Sequence, residues 1–167
     1  DVERSRGLGD VYKRQRGFWP DSPSPFDPKA HSTMPFVHTY LPQSTSTSQR
    51  DAVVQGIHQA LVQGIGMPED ELFNMVHPYA PGQFAFSRSF NGVARSDAVV
   101  VVEITMRRGR SDAMKKALYA AIARNLHEGA GVAPADVFIF MHENDYSDWS
   151  VGHGRFAMAL VQQTGAQ

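Results

Sequence analysis

Pro35 is the residue whose position most clearly suggests reactivity, because it directly follows the first methionine, Met34. If Met34 is the true start and is removed, the proline nitrogen becomes a rigid secondary amine. A free α-amino group titrates at about 7.7–8.0, and burial or nearby cations lower that value. Such an amine can transfer protons or attack a carbonyl to form an iminium. The alternative is a proline at the first position of a strand, where its missing N–H costs little.

Three arginines follow an apolar segment in the sequence "MRRGRS": Arg107, Arg108 and Arg110. Proteins of the α/β class place ligands at the carboxyl ends of parallel strands. The planar guanidinium group fits a carboxylate with two parallel hydrogen bonds. The spacing therefore predicts a site for a carboxylate, with a solvated basic turn as the alternative.

An internal repeat supplies the elements that must position these residues. "GMPEDELFNM" begins at Gly66 and "GVAPADVFIF" begins at Gly131, an offset of 65 residues. An acidic residue, an aliphatic residue and a phenylalanine follow each glycine at the same spacing: Glu71, Leu72 and Phe73, then Asp136, Val137 and Phe138. Several ungapped matches at one offset indicate a structural repeat.

Each half has the pattern of a β-α-β unit. The first helix is predicted over 47–65, with a start resembling a capping box at Ser48 and Asp51. The second is predicted over 112–128, and Gly129 is its predicted stop. Two such units predict an α/β (α+β) fold with a four-stranded, mostly parallel sheet and both helices on one face.

The predicted sheet has a second face that these helices leave uncovered. The strand "AVVVVEITM", 98–106, is apolar at consecutive positions, which is typical of a strand buried on both faces. We therefore expect another subunit to cover the second face. The connection between the two halves is predicted to contain a short strand over 84–88.

Composition limits the class of protein and its partners. The chain has 167 residues, 42% of them hydrophobic, which favours one globular domain. A net charge of −1 gives no reason to expect nucleic acid or an anionic membrane as partner. Cysteine is absent, which excludes disulfides and thiolate catalysis, and the histidines lack metal-ligand spacing, so no metal or cofactor is predicted. No signal peptide or apolar span of about 20 residues is evident, so we expect a cytoplasmic protein.

Residues 1–33 differ from the rest of the chain. They mix charges with four prolines and show no helical or strand period, which predicts a disordered leader. The peptide "GLGDVYKRQ" resembles translated sequencing adapter, so we expect at least residues 1–15 to be non-native. A genuine disordered extension is the alternative. The predicted domain is 34–160, followed by a tail, 161–167.

The duplicated β-α-β unit beginning with "MP" resembles the tautomerase superfamily, the group of 4-oxalocrotonate tautomerase and macrophage migration inhibitory factor. From Met34 to about Ala157 the chain is similar to malonate semialdehyde decarboxylase-like members. The similarity rests on "MPFVHTYL", "GMPEDELF", "RSDAVVVVEITM", "GRSDAMKKALYAAI" and "DWSVGHGRF". It implies that the initiator methionine is removed, that the amine of Pro35 does the chemistry, and that the protein is a homotrimer.

The resemblance also implies the roles of charged residues. Arg110 occupies a substrate-arginine position, and the second such arginine is either Arg107 or Arg108, with Arg108 favoured. Glu71 stands where the decarboxylase-like members have an aspartate that orients or activates the reacting group, and the adjacent Asp70 could substitute. Alternatively, an acidic residue at Glu71 simply marks the start of a strand, as its repeat counterpart would.

The segment "DWSVGHGRF" supplies the implied pocket wall. Trp149 would shield the amine and favour decarboxylation by disfavouring charge on the leaving carboxylate. Val151 stands where related members have phenylalanine, and His153 where they have arginine or asparagine, so the identity of the substrate stays open. The alternative for Trp149 is an aromatic anchor of the trimer interface.

The predicted function is therefore an enzyme acting on a small oxo or enol carboxylic acid through Pro35. The reaction would be keto–enol tautomerisation, decarboxylation of a 3-oxo acid, or both. One alternative is a hydratase or dehalogenase of unsaturated acids, with Glu71 activating water. Another is a non-catalytic oligomeric binding protein that keeps only the fold.

Overall fold

The computed structural model describes residues 35–157 of the chain. The predicted leader, 1–33, and tail, 161–167, lie outside the described residues. Four strands and two long helices follow one another in the order β1 Phe36–Pro42, α1 Thr47–Ile65, β2 Asn74–Tyr79, β3 Val100–Arg107, α2 Asp112–Ala130 and β4 Val137–Asn144. No helix within 35–157 is long and apolar enough to cross a membrane.

The start of each helix is fixed by a serine cap. Ser46 caps α1, and its side chain accepts a hydrogen bond from the Gln49 N–H at 3.3 Å while the Gln49 side chain returns to the Ser46 N–H. The prediction of the capping box at Ser48 and Asp51 is wrong, because the reciprocal pair begins two residues earlier. Ser111 caps α2 in the same way, accepting from the Met114 N–H.

The end of each helix is fixed by a glycine in the left-handed region, where a residue without Cβ is favoured. Gly66 ends α1 with φ 70° and Gly131 ends α2 with φ 69°. The predicted stop at Gly129 is wrong, because Gly129 stays helical and α2 runs on to Ala130. The N–H groups of Gly131 and Val132 satisfy the last carbonyls of α2, which closes the helix.

The sheet has the order β2-β1-β3-β4. The two outer pairs are parallel and the central pair, β1 with β3, is antiparallel, which confirms a mostly parallel four-stranded sheet. Helices α1 and α2 begin 65 residues apart, at Thr47 and Asp112, and end 65 residues apart, at Ile65 and Ala130. The repeat inferred from the sequence is therefore a repeat of structure.

Both helices pack on one face of the sheet and enclose the core. Alternate strand residues point into it, and the cluster includes Val37, Leu41, Val102, Ile104 and Met106 from the strands with Ile57, Leu61, Leu118, Ile122 and Leu126 from the helices. The helices approach closely at Gly56, where an added Cβ would lie 3.2 Å from Leu126 Cδ1. The Asn125 side-chain amide donates to the Gly56 carbonyl at 3.0 Å, which pins the helix pair.

Neither α1 nor α2 packs on the other side of the sheet. We call it the open face, and its residues are Phe36, His38, Tyr40, Met75, His77, Val101, Glu103, Thr105, Arg107, Phe138, Phe140 and His142. Val99, Val100, Val101 and Val102 are all buried, as the unbroken valine run predicts.

The connection between β2 and β3 contains no strand over 84–88, so that prediction is wrong. A strand needs a neighbouring edge to pair with, and this segment instead forms an aromatic cluster. The Phe84 ring lies 5.4 Å from the Tyr79 ring and 5.0 Å from the Phe86 ring.

Candidate active site

The predicted site residues converge at one edge of the sheet, where β1 and β2 begin and β3 and β4 end. Phe36 pairs with Thr105 across the antiparallel strands, so the register places Pro35 opposite Met106, the residue before Arg107. On its other side, the Val37 N–H donates to the Phe73 carbonyl at 2.9 Å, which brings the start of β2 alongside. The fold therefore places the buried Pro35 between the start of β2 and the end of β3.

The three arginines lie in different environments. The Arg107 guanidinium lies 4.5 Å from the centre of the Tyr146 ring. Arg110 is partly buried, and its Nη1 donates to the Arg107 carbonyl at 3.0 Å. Burial and then the charge of Arg107 lower the pKa of Arg110, as expected for two cations held close together.

Arg108 is turned to a different partner. Its Nε lies 2.9 Å from Asp145 Oδ1, and both side chains are exposed, at 61% and 56%. Its backbone N–H donates to the Asn144 carbonyl at 2.9 Å. The structure thus brings Arg107 to Arg110, whereas Arg108, the arginine favoured from the sequence, is paired with a surface carboxylate.

Glu71 lies three residues before the start of β2 and is partly buried, whereas the adjacent Asp70 is exposed. The repeat counterpart of Glu71, Asp136, is 4% exposed and accepts hydrogen bonds from the Ser96 N–H at 2.7 Å and the Ser96 hydroxyl at 2.6 Å. Asp136 therefore orders the segment that leads into β3. At the repeat offset Ser96 corresponds to His31, which lies outside the described residues.

Trp149 follows a short 3-10 turn, Tyr146–Asp148, at the end of β4. Its Nε1 donates to Asn144 Oδ1 at 2.7 Å, which fixes the indole near the site edge. Val151, the other predicted wall residue, is exposed in the loop that follows.

Three residues of this segment, Asn144, Asp145 and Tyr146, were not singled out from the sequence. Each contacts a predicted site residue: Trp149, Arg108 and Arg107, respectively. The signal that could have found them is the parallel register of β3 with β4, which places Arg107 opposite Asn144.

A cavity lies at the opposite edge of the sheet, where β1 ends and β3 begins. It has a volume of about 400 Å³, and its lining includes Val100, Asp136, Pro42 and Thr45. At the repeat offset these residues correspond to Pro35, Glu71, Arg107 and Arg110. An internal valine amide cannot act as an amine, and within residues 35–157 no arginine lines this cavity, so these residues do not give the second edge the chemistry of the first.

Comparison with known sequences gives consistent matches. Residues 71–152 match one family described as "Tautomerase enzyme", and residues 35–87 match a second family with the same description. The chain is 34% identical over 125 residues to the probable tautomerase YusQ of Bacillus subtilis (strain 168), a match that covers 75% of this chain and 98% of YusQ.

Solved structures with the same fold include two malonate semialdehyde decarboxylases. One was solved in wild-type, mutant and inactivated forms in a study of decarboxylase and hydratase activities; it is 28% identical with a TM-score of 0.70, covering 77% of this chain and 98% of that one. The other, inhibited by 3-bromopropiolate, is 30% identical with a TM-score of 0.71, covering 77% and 96%. A fused 4-OT that forms a symmetric trimer shares the fold at 22% identity and a TM-score of 0.64, covering 75% and 98%.

Proposed function

The chain belongs to the tautomerase family, and from that premise we propose that it acts on a small oxo or enol carboxylic acid through the free amine of Pro35. The observation that carries the proposal is the convergence of Pro35 with Arg107 and Arg110 at one edge of the sheet. The mature protein then begins at Pro35, because a proline nitrogen within a peptide bond has no basicity to use.

The two arginines supply the binding site for the substrate carboxylate. A guanidinium donates two parallel hydrogen bonds to a carboxylate, and Arg107 and Arg110 have no carboxylate partner in the part of the chain that the structure describes. Arg108, which the sequence favoured for this role, has its charge offset by Asp145. We therefore assign the substrate to Arg107 with Arg110.

Proton transfer is the minimum reaction that this arrangement supports. The neutral amine of Pro35 removes the proton from the hydroxyl of an enol acid and returns it to the adjacent carbon, which yields the keto acid. The arginine charges stabilise the developing enolate oxygen. Burial of Pro35 and the nearby cations both disfavour the protonated amine, so the base is available near neutral pH.

Decarboxylation of a 3-oxo acid is the second candidate, favoured by Trp149 at the site edge and by similarity to the two decarboxylases. This reaction would use the other protonation state of the amine, the protonated form present below its pKa, which polarises the 3-oxo group while the bond to the leaving carboxylate breaks. Its electron pair forms the enol, carbon dioxide leaves, and a proton returns to the carbon. We propose that Glu71 orients the reacting group or, in a hydratase, activates water.

The same proposal includes a homotrimer. Phe138 and Phe140 remain 39% and 37% exposed on the open face, which is unusual for large apolar side chains in the middle of a strand. A fused 4-OT with this fold forms a symmetric trimer. Three copies with their open faces together would bury these rings and keep the helices outside.

The test compares a chain that begins at Pro35 with the same chain carrying Pro35→Ala. YusQ, whose length is 98% covered by the match, shows that a relative consists of this domain alone. We expect the first chain to ketonise enol 2-oxo acids and to be labelled by 3-bromopropiolate, and the variant to lose activity by about 10²–10⁴-fold. A first chain that converts no such acid, together with an unchanged variant, would indicate the non-catalytic binding protein instead.

A further inference from the structure

The residues that follow β4 contact Arg107 and Arg108, the two arginines at the end of β3, in different ways. We propose that Tyr146 is a positioning residue that selects Arg107, rather than Arg108, for the substrate carboxylate. This inference rests on the proposed function and adds to it a residue that touches no reacting atom. Its basis is the contact of Arg107 with an aromatic ring and of Arg108 with a carboxylate.

The parallel register of β3 with β4 sets up these contacts. Arg107 pairs with Asn144 at the ends of these strands, so the segment that follows β3 and the segment that follows β4 begin side by side. Asp145 Oδ1 lies 2.9 Å from Arg108 Nε, and the centre of the Tyr146 ring lies 4.5 Å from the Arg107 guanidinium. Two consecutive residues after β4 therefore contact two consecutive arginines at the end of β3.

The two partners have opposite effects on the arginine they hold. A carboxylate neutralises the guanidinium charge and occupies its donors. An aromatic face attracts the cation through its quadrupole. It leaves the charge of the guanidinium, and the N–H groups in the guanidinium plane, available to bind an anion. Arg107 therefore stays able to bind an anion, whereas Arg108 does not.

The Tyr146 ring is well suited to fix a side-chain position. The residue is only 9% exposed, and it opens a 3-10 turn that is closed by the Asp145 N–H donating to Asp148 Oδ2 at 2.7 Å. A rigid platform restricts Arg107 to the side on which Arg110 lies, and Arg110 in turn donates to the Arg107 carbonyl. The result is a pair of close cations whose mutual repulsion a bound carboxylate relieves.

The first experiment measures kcat and KM for an enol 2-oxo acid with chains that begin at Pro35. Tyr146→Phe keeps the ring face and should leave KM unchanged. Tyr146→Leu should raise KM by about tenfold with a smaller effect on kcat. Phe90→Leu, which removes an exposed ring from the β2–β3 connection, is the matched control and should change neither value.

A double-mutant cycle separates positioning from a general structural role. If Tyr146 acts through Arg107, Tyr146→Leu should have no further effect on KM once Arg107→Leu is present. Multiplicative effects of the two changes, or a KM that responds to Arg108→Leu and not to Arg107→Leu, would overturn the proposal.

A second measurement does not depend on turnover. The full 167-residue chain is titrated calorimetrically with malonate, a dicarboxylate that needs no amine chemistry to bind. We expect Tyr146→Leu to weaken binding by about tenfold and Tyr146→Phe to bind as the unmodified chain does. Absence of malonate binding, or equal binding by both variants, overturns this inference. Turnover that is unchanged by Pro35→Ala, with malonate binding as expected, overturns only the proposed function.

Discussion

His38 on β1 and Glu103 on β3 face each other across the antiparallel centre of the sheet, and they occupy the same position in the two repeats. The approximate twofold axis of the molecule therefore passes between them. It relates the edge that holds Pro35 to the edge that holds Val100. Among the described residues, 35–157, only those of the first edge combine a potential free amine with arginines, so the two halves have the same fold and different chemistry.

This asymmetry makes the equivalent carboxylates, Glu71 and Asp136, a matched pair for mutation. Asp136→Asn replaces one of the two buried carboxylate oxygens that accept from Ser96 with an amide nitrogen, so the free energy of unfolding should fall by about 1–3 kcal/mol with activity kept. Glu71→Gln should instead lower turnover, because we propose that this carboxylate takes part in the reaction. Denaturant titration and steady-state kinetics of both variants test these expectations. Turnover that falls with Asp136→Asn and not with Glu71→Gln would show that the catalytic carboxylate is Asp136.

The different environments of the three arginines predict different kinetic effects. Arg107→Leu and Arg110→Leu should each raise KM by about 10–100-fold, because a charge-assisted hydrogen bond to the substrate is lost. Arg108→Leu should stay within about threefold, since its partner is the exposed Asp145. Kinetics with an enol 2-oxo acid make the comparison, with Arg124→Leu on α2 as a control for lost charge. A large effect at Arg108 alone would restore the assignment favoured by the sequence.

The open face predicts the response of the assembly to a charge. Phe140→Glu places a carboxylate where we propose that a second copy packs, so multi-angle light scattering should show a shift from trimer towards monomer. Phe90→Glu changes an exposed aromatic residue in the β2–β3 connection and should leave the mass of the particle unchanged. A monomeric unmodified protein would contradict the proposed assembly.

Tyr79 predicts a loss of stability in alkaline solution. Its hydroxyl donates to the Val99 carbonyl at 2.6 Å, and burial, followed by the charges of Asp136 and Asp97, raises its pKa. The folded state thus favours the protonated phenol. Its contribution is complete below the unfolded pKa of about 10 and is lost as the pH rises through the higher folded pKa.

The melting temperature of the unmodified chain should therefore fall between about pH 9 and pH 11, and Tyr79→Phe should fall less steeply. Tyr119→Phe removes a phenol from α2 and serves as the control. Equal slopes for all three proteins would show that Tyr79 does not contribute to this alkaline loss.

Much of the fold followed from local signals in the sequence. The bounds of α1 were predicted because Gly66 ends a regular apolar stripe, and the sheet followed from the offset between Gly66 and Gly131. The end of α2 was misplaced because Gly129 and Gly131 are both possible stops. The choice depends on which glycine can adopt positive φ while its neighbour, Val132, packs against the core.

The site was predicted only as far as its residue types. Arg107 and Arg108 are adjacent and chemically identical in sequence, and their roles separate only through Asp145 and Tyr146, which the β3–β4 register brings to them. The strand expected over 84–88 failed for a similar reason, since its formation needs a partner strand that local sequence does not specify.

The proposed mechanism requires the Pro35 nitrogen to be a free amine. The decisive measurement is kcat/KM for an enol 2-oxo acid, compared between a chain that begins at Pro35 and the full 167-residue chain, in which the same nitrogen is an amide. The chain that begins at Pro35 should be more active by at least about 10²-fold. Equal activity of the two chains would contradict amine catalysis by Pro35.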